Sequence, residues 1–313
     1  MIVKQASIND YTEIKKFIKI YWSKNHILAK DKKLFKYYYL NKKKFNFLIL
    51  KNKNNQINSI LGYLVDKKEN EKFVWLALWI SKPNSFFAGV RLLKELENRF
   101  KEKVLVLGLS NFAEKIIRTL NYKVLFMSHY YILNKKIKNY KIILNPQKKK
   151  YEANKNIFFS EIKKKDLFKF KNLIHLRNNK NFSNFKFKYI DNKYYDYKFF
   201  IIKKKKDNLL LVLREILVKK KKRSIIRIVD AFGNFKLFKI CNKFYDYLFE
   251  IFNSEYLDVL NIGINEKIFL SSGMVKANYT KTTIPNYFEP FLKKNKKIIF
   301  AHHYKLKKKI YVF

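Results

Sequence analysis

The chain has 313 residues, enough for two domains with full cores. It carries 70 basic against 24 acidic residues, a net charge of +46, but only seven of the cations are arginine. The planar arginine fork is the group suited to phosphate and base edges, so this lysine excess argues against nucleic-acid reading and leaves anionic lipid headgroups or anionic substrates as partners for the charge. Lysine, asparagine, isoleucine, phenylalanine and tyrosine are inflated together while glycine and proline are scarce, the imprint of AT-rich coding. The runs Lys148–Lys150, Lys203–Lys206 and Lys219–Arg223 therefore read as solvated loops and strand ends. One cysteine, Cys241, excludes an intramolecular disulfide and a cysteine-based zinc site.

In chain order, Ile2–Ala6 reads as a strand that starts at once, with no leader-like apolar stretch before it. No run approaches the ~18 apolar residues of a membrane span, so a cytoplasmic protein is expected. Ser7–Asp10 supplies cap-type residues, and Ile14, Phe17, Ile18 and Tyr21 recur at helical spacing. After a polar break at Trp22–Lys30, Asp31 caps a second helix through Leu40. Phe45–Lys51 and Ile60–Val65 form a hairpin around Asn52–Asn58. Phe73–Ile80 is apolar almost throughout, as a strand covered on both faces must be. Pro83, Asn84 and Ser85 open a helix carrying Val90, Leu93, Leu96 and Phe100. Val104–Leu109 is a second central strand, Phe112–Leu120 a helix, and Val124–Leu133 one or two strands. The polar segment Lys135–Asn156 reads as a linker.

The second half follows the same order at an offset of about 152 residues, which points to two copies of one α/β unit. Ile157–Ser160 is a strand, Lys165–Arg177 a helix, and Tyr197–Lys203 with Leu209–Val218 a hairpin-like pair. Strand Ile225–Asp230, helix Phe235–Phe252, strand Leu257–Ile264, helix Glu266–Lys276 and strand Ile298–Tyr304 complete it. Cys241 lies in the apolar pattern of the longer helix, as a small buried filler would. An extra stretch, Ala277–Lys297, contains the proline-bracketed run Thr283–Pro290.

Several motifs of the first half resemble the GNAT (Gcn5-related N-acetyltransferase) superfamily. The opening Ile2–Asp10 looks like the family's "I-R-x-A-x-x-x-D", and Ile60-Leu61-Gly62-Tyr63 like its third-strand "I-x-G-Y/F". Gly89-Val90-Arg91-Leu92-Leu93 resembles the end of its acyl-CoA motif, and Leu107–Ser110 through Asn121-Tyr122 its fifth strand, helix and turn. The resemblance covers residues 1–133 and reaches the second half through element order alone. It implies an α/β fold of two tandem GNAT-like domains, each a mixed, mostly antiparallel sheet flanked by helices. The expected division is 1–137 with an acyl-CoA site, a linker at 138–149, and 150–313 with an acceptor or structural role. It also implies acetyl-CoA or another acyl-CoA as co-substrate. The pyrophosphate would rest on a helix N-terminus and the pantetheine arm along the strand edge, with Leu78, Ile80, Asn84, Ser85, Gly89 and Val90 as donor contacts. The chain departs from the motif at Phe87, where the family has glycine, and at Ile117, where it often has a tyrosine acid.

Six residues are acceptor candidates. His26 lies in the break between the first two helices, which in the family borders the acceptor pocket. His129 is expected near the thiol end of the first half. Trp79 shares a strand face with Trp75 by period two, as core or as a substrate platform. Asp230 ends the second central strand, where α/β sheets often place ligands, and its charge near the following helix opposes pyrophosphate there. Tyr287 and Glu289 in the proline-bracketed run are candidates to cover a pocket. His302 and His303 point to opposite faces and cannot share a metal, and no metal, P-loop or G-x-S-x-G pattern is present.

The resemblance implies an N-acyltransferase moving an acyl group from an acyl-CoA to an amine, the amino sugar of a surface-polysaccharide precursor being the expected acceptor. Two alternatives stand beside it: a non-catalytic GNAT-like scaffold, and a Fem-like transferase whose donor is aminoacyl-tRNA.

Overall fold

A computed structural model describes residues 2–68, 71–101, 103–149, 157–175, 181–218, 222–286 and 292–304. They form two units: unit 1 from Met1–Leu125 with Ile298–Lys307, and unit 2 from Phe126–Lys297. In unit 1, β1 (Ile2–Ser7) leads into α1 (Tyr11–Tyr21), α2 (Ile27–Lys30) and α3 (Lys32–Tyr39), then β2 (Leu40–Asn41), β3 (Lys44–Lys51), β4 (Ile57–Lys68) and β5 (Glu71–Ser81). There follow α4 (Phe86–Arg99), β6 (Val104–Leu107), α5 (Asn111–Thr119) and β7 (Tyr122–Phe126). Unit 2 holds β8 (Ser128–Leu133), β9 (Phe158–Glu161), α6 (Lys171–His175), α7 (Phe182–Phe185), β10 (Tyr197–Lys204), β11 (Asp207–Val218) and β12 (Arg223–Gly233). It ends with α8 (Asn242–Phe252), β13 (Ser254–Asn261), α9 (Glu266–Leu270) and β14 (Val275–Lys276). The last described strand, β15 (Ile299–His303), returns to unit 1.

The first sheet runs β1-β3-β4-β5-β6-β15-β7 with β2 beside β3, and the second β14-β8-β13-β12-β11-β10-β9. Each has a parallel pair, β5–β6 and β12–β13, with an antiparallel neighbour on either side of it. The expected fold class, two mixed sheets flanked by helices, is what the chain adopts. Aspartate closes the first turn: Asp10 accepts from the Ser7 amide and hydroxyl, each at 2.8 Å, and pairs with Lys4 at 2.9 Å. Ala88, Leu92, Leu93 and Leu96, at helical spacing on α4, pack over Leu61, Val74, Leu76, Val104 and Val106. On α8, Phe244, Tyr245 and Leu248 cover Leu211, Ile226, Ile228, Leu257 and Val259 in the same way. Cys241, fully buried, is the filler expected.

The division differs from the expected 1–137 and 150–313. Strand β8 lies in the second sheet beside β13, and β15 lies in the first beside β6, so each sheet is completed by a strand from the other half of the sequence. The segment expected as a linker at 138–149 belongs to unit 2. Its amides at Lys141, Ile142 and Ile143 donate to the buried carboxylate of Glu255 at 2.7, 2.7 and 3.0 Å. The helix expected over Glu266–Lys276 stops at Leu270 and gives way to β14. The helix expected from Lys165 begins as a 3-10 turn, Lys164–Phe170.

Candidate functional site

In unit 1 the site is where β5 leaves β6. The parallel ladder runs Val74↔Val104, Trp75↔Leu105 and Leu76↔Val106, and stops there, while β5 continues to Ser81 against β4 alone. At that point β5 carries a bulge. Gly62 faces Leu78 and Tyr63 faces Leu76, leaving Ala77 without a cross-strand partner. The glycine at the bulge makes room for the Phe47 ring, which a Cβ would meet at 2.6 Å.

The bulge changes which groups face the opening. Lys82 N donates to Asn58 O at 2.9 Å, and the Ser59 hydroxyl to Ile80 O at 3.0 Å. Antiparallel pairs alternate, so Leu78 and Ile80 turn their backbone groups to β4, and it is Trp79 and Ser81 that present theirs on the free edge. Leu78 and Ile80, expected as donor contacts, thus turn their backbone groups away from the free edge. The same parity change separates the two tryptophans. Trp79 packs with Val74 and Leu76 on the α4 side, whereas Trp75 meets Phe300 on the other side, ring centroids 6.2 Å apart. They do not share a face, because the extra residue at Ala77 shifts the period-two pattern by one.

The free edge leads straight into α4. Asn84 takes a left-handed conformation (φ 60), which asparagine tolerates, and Ser85 stands at the N-cap without bonding the helix amides through its side chain. By contrast, Ser110 caps α5, accepting from Ala113 N at 3.2 Å. The α4 N-terminus therefore carries its dipole without a side-chain cap from Ser85, the Ala88 amide donating to Ser85 O at 3.0 Å. Gly89 is buried where a Cβ would lie 2.6 Å from Ser81 Oγ and 2.8 Å from Trp79 Nε1, so the glycine lets the helix sit against the end of β5. Trp79 Nε1 is buried with no hydrogen-bond partner among the described residues. Val90 is half-buried, and the Phe87 side chain is 81 % exposed, so its ring does not fill the turn. Ile117 is fully buried in the α4 core, an apolar contact where the family's acid would stand.

The acceptor candidates are not brought together. His26, in unit 1, caps α2, its Nδ1 accepting from Leu28 N at 3.3 Å. Asp230, in unit 2, is buried and accepts from the Tyr189 hydroxyl at 2.5 Å and from Ala231 N at 3.0 Å, with Lys188 Nζ 3.9 Å away. Tyr287 and Glu289 lie outside the described residues. His129, expected near the thiol end of the first half, belongs to β8 and so to unit 2, because its strand joins the second sheet.

There His129 heads a cluster that sequence reading missed. Its Nε2 is 2.8 Å from Asp258 Oδ2, and its Nδ1 is 2.8 Å from the Tyr279 hydroxyl. Arg227 grips the same carboxylate with Nε at 2.9 Å and Nη2 at 2.6 Å. Burial works against the Asp258 charge, yet the Arg227 charge and the bonds from Arg227 and His129 hold its carboxyl well below the usual range. Burial lowers His129 more than Asp258 raises it, and burial followed by the Asp258 charge pushes the Tyr279 phenol up. The available signal was a charged residue inside each central strand, Arg227 in Ser224–Gly233 and Asp258 in Tyr256–Ile264. Among the described residues no group of histidine, cysteine and carboxylate side chains is arranged to hold a metal, and no helix is long and apolar enough to cross a membrane.

No protein-family model and no curated protein matches this sequence. Solved structures do share its fold. A GCN5-related N-acetyltransferase from Anabaena variabilis superposes with a TM-score of 0.60 at 10% identity, over 96% of this chain and 72% of that one. A conserved protein of unknown function from Enterococcus faecalis, described as a probable N-acyltransferase, gives 0.59 at 12% identity over 97% and 73%. A putative acetyltransferase from Pyrococcus horikoshii gives 0.50 at 10% identity over 99% and 91%. At these identities the likeness is one of fold, and it spans both units.

Proposed function

We propose that the chain is an N-acyltransferase that takes an acyl group from an acyl-CoA and delivers it to an amine. The observation that carries this reading is the opening of β5 from β6 beyond Leu76 and Val106, which leaves a free strand edge leading to a helix N-terminus that no side chain caps. An extended amide-bearing arm can pair with the edge as an added strand while its phosphates meet the α4 amides. Asn84, Ser85, Gly89 and Val90 then border the pyrophosphate, and the backbone at Trp79 and Ser81 meets the arm. The names of the similar structures support the acyltransferase class.

In the reaction the amine attacks the thioester carbon, the N–C bond forming as the C–S bond breaks. The proton leaves nitrogen and the thiolate gains one. An amide of the β5 edge offers the oxyanion a fixed donor. With Ile117 in place of a hydroxyl acid, positioning supplies the rate. We assign acceptor binding or a structural role to unit 2, an amino sugar of a surface polysaccharide as the acceptor, acetyl-CoA as the first donor to test, and the cytoplasm as location.

Thermal-shift titration with acetyl-CoA and longer acyl-CoA esters tests the reading. Saturation at 100 times the dissociation constant adds about 2.7 kcal/mol to the native state. No shift with any ester would favour the scaffold that Ile117 allows, and salt-sensitive binding of tRNA in its place would favour the aminoacyl-tRNA donor.

A further inference from the structure

Unit 2 buries a chain of ionisable groups that the donor site does not use, and the fold itself does not require them. The repeat provides the control. Through the matched registers Arg227↔Asp258 and Trp75↔Leu105, and Leu260↔His129 and Leu107↔Phe300, the positions of Arg227, Asp258 and His129 in unit 2 are those of Trp75, Leu105 and Phe300 in unit 1. The same framework is filled once by apolar side chains and once by an ion pair with a histidine. Burying ions costs more than packing hydrocarbon of similar volume, so the polar set reflects a demand other than folding.

The hydrogens of the cluster are fixed by its charges. Asp258 is a carboxylate held by Arg227, so His129 must present Nε2–H to it. Nδ1 is then a bare acceptor, and the Tyr279 O–H points at it. The ionisable groups facing His129 are Asp258 on β13, Arg227 on β12 and Tyr279 on the loop after β14. That loop is rigidly held: Ala277 N donates to His129 O at 2.8 Å, Asn295 Nδ2 to the carbonyls of Tyr279 at 3.1 Å and Thr282 at 2.7 Å, and Asn278 Oδ1 accepts from Thr280 N at 3.0 Å. Arg227, Asp258 and His129 are buried, whereas Tyr279 is half-buried and is the most exposed member of the cluster.

We propose that unit 2 carries a proton-transfer site of its own, in which the Tyr279 hydroxyl meets a small ligand bearing a protonated amine and passes the amine's proton to His129. The ligand N–H bond breaks and its proton binds the Tyr279 oxygen as the Tyr279 proton moves to His129 Nδ1. The amine is left neutral and nucleophilic, and the imidazolium keeps its Nε2–H bond to the Asp258 carboxylate that it shares with Arg227. An amine is the ligand class that suits the step, because an alcohol holds its proton too tightly to yield it to imidazole. Tyr279 touches the ligand, His129 acts through it, and Asp258 and Arg227 position His129. The inference stands on unit 2 alone and does not depend on where the acyl donor binds.

The inward proton step can be read without any acyl transfer, by labelling with 4-(2-aminoethyl)benzenesulfonyl fluoride and mapping by mass spectrometry. There the phenol O–S bond forms, the S–F bond breaks, fluoride leaves and the phenol proton goes to His129. Tyr279 is expected to label about tenfold faster than exposed tyrosines of the same chain, and His129→Gln to remove that advantage. In the wild-type chain the Tyr279 rate should level off once His129 is neutral, rather than climb with phenol ionisation toward pH 10. This profile requires no variant to fold. The uncharged phenylmethanesulfonyl fluoride should lack the preference for Tyr279. A Tyr279 rate equal to that of surface tyrosines, or one that tracks phenol ionisation alone, overturns the site. Equal preference for the two reagents overturns the amine assignment.

Discussion

The two units are one framework used in two ways. Both bulge at the same point, Ala77 in unit 1 and Val229 in unit 2, where Val212 faces Asp230 and Leu213 faces Ile228. Both end their parallel ladder just before it, at Leu76↔Val106 and Ile228↔Val259. Beyond the bulge they diverge. Unit 1 continues into a long helix whose N-cap Ser85 makes no side-chain bond to the helix amides. Unit 2 places Asp230 at the position of Leu78 and follows with a 3-10 turn whose amide at Lys236 is already taken by Asn234 at 3.0 Å. A terminus without a side-chain cap suits an anion, and a turn whose amide is already taken suits one less. The bulge and the end of the parallel ladder are shared, and the side chains beyond them differ.

The polar cluster offers the sharpest way to break this comparison. Asp258→Ala removes the carboxylate that the buried Arg227 guanidinium and His129 both bond and should cost ~3–5 kcal/mol in urea unfolding. Installing the unit 1 residues together, Arg227→Trp, Asp258→Leu and His129→Phe, should recover most of that loss. Failure to recover would mean that the two frameworks are not interchangeable. Glu255→Ala orphans three amides and should cost ~2–4 kcal/mol, with faster hydrogen exchange at Lys141–Ile143. Gly89→Ala forces a Cβ against Ser81 and Trp79 and should cost ~1–3 kcal/mol, in unit 1.

The smallest effect is one of pH. The folded pKa of His129 is lowered from its ordinary 6.5, so the unfolded chain takes up a proton first. Stability is full above pH 6.5 and falls as pH drops from there through the folded value. Asp258, lowered from 3.8, adds a second loss only below that pH. His129→Gln should flatten the slope between pH 6.5 and 4 and leave the lower one in place. An unchanged slope would show that His129 is not the group responsible.

The repeat was legible because its central strands are apolar runs and its long helices are periodic, signals that survive without sequence identity. The exchange of β8 and β15 was not. A strand such as Ser128–Leu133 reads the same whichever sheet it joins, and its pairing depends on residues more than a hundred positions away. The bulge hid the second feature, since one unpaired residue at Ala77 reverses the facing of everything after it and so moved Trp79 away from Trp75. That Asn84, Ser85 and Gly89 lie at the start of a helix was legible from cap, turn and motif signals, which are local. Arg227 and Asp258 were passed over although charges inside otherwise apolar strands are the rarest residues there, because their partners His129 and Tyr279 come from distant segments.

The central claim, that the unit 1 opening and not its unit 2 counterpart receives the acyl donor, is tested most directly by calorimetric titration of acetyl-CoA into three proteins. Wild type and Asp230→Asn should bind with the same affinity, and Gly89→Asp, which sets a charge and a side chain into the start of α4, should not bind while unit 2 remains folded. Loss of binding in Asp230→Asn with binding retained in Gly89→Asp would contradict the claim and transfer the donor site to unit 2.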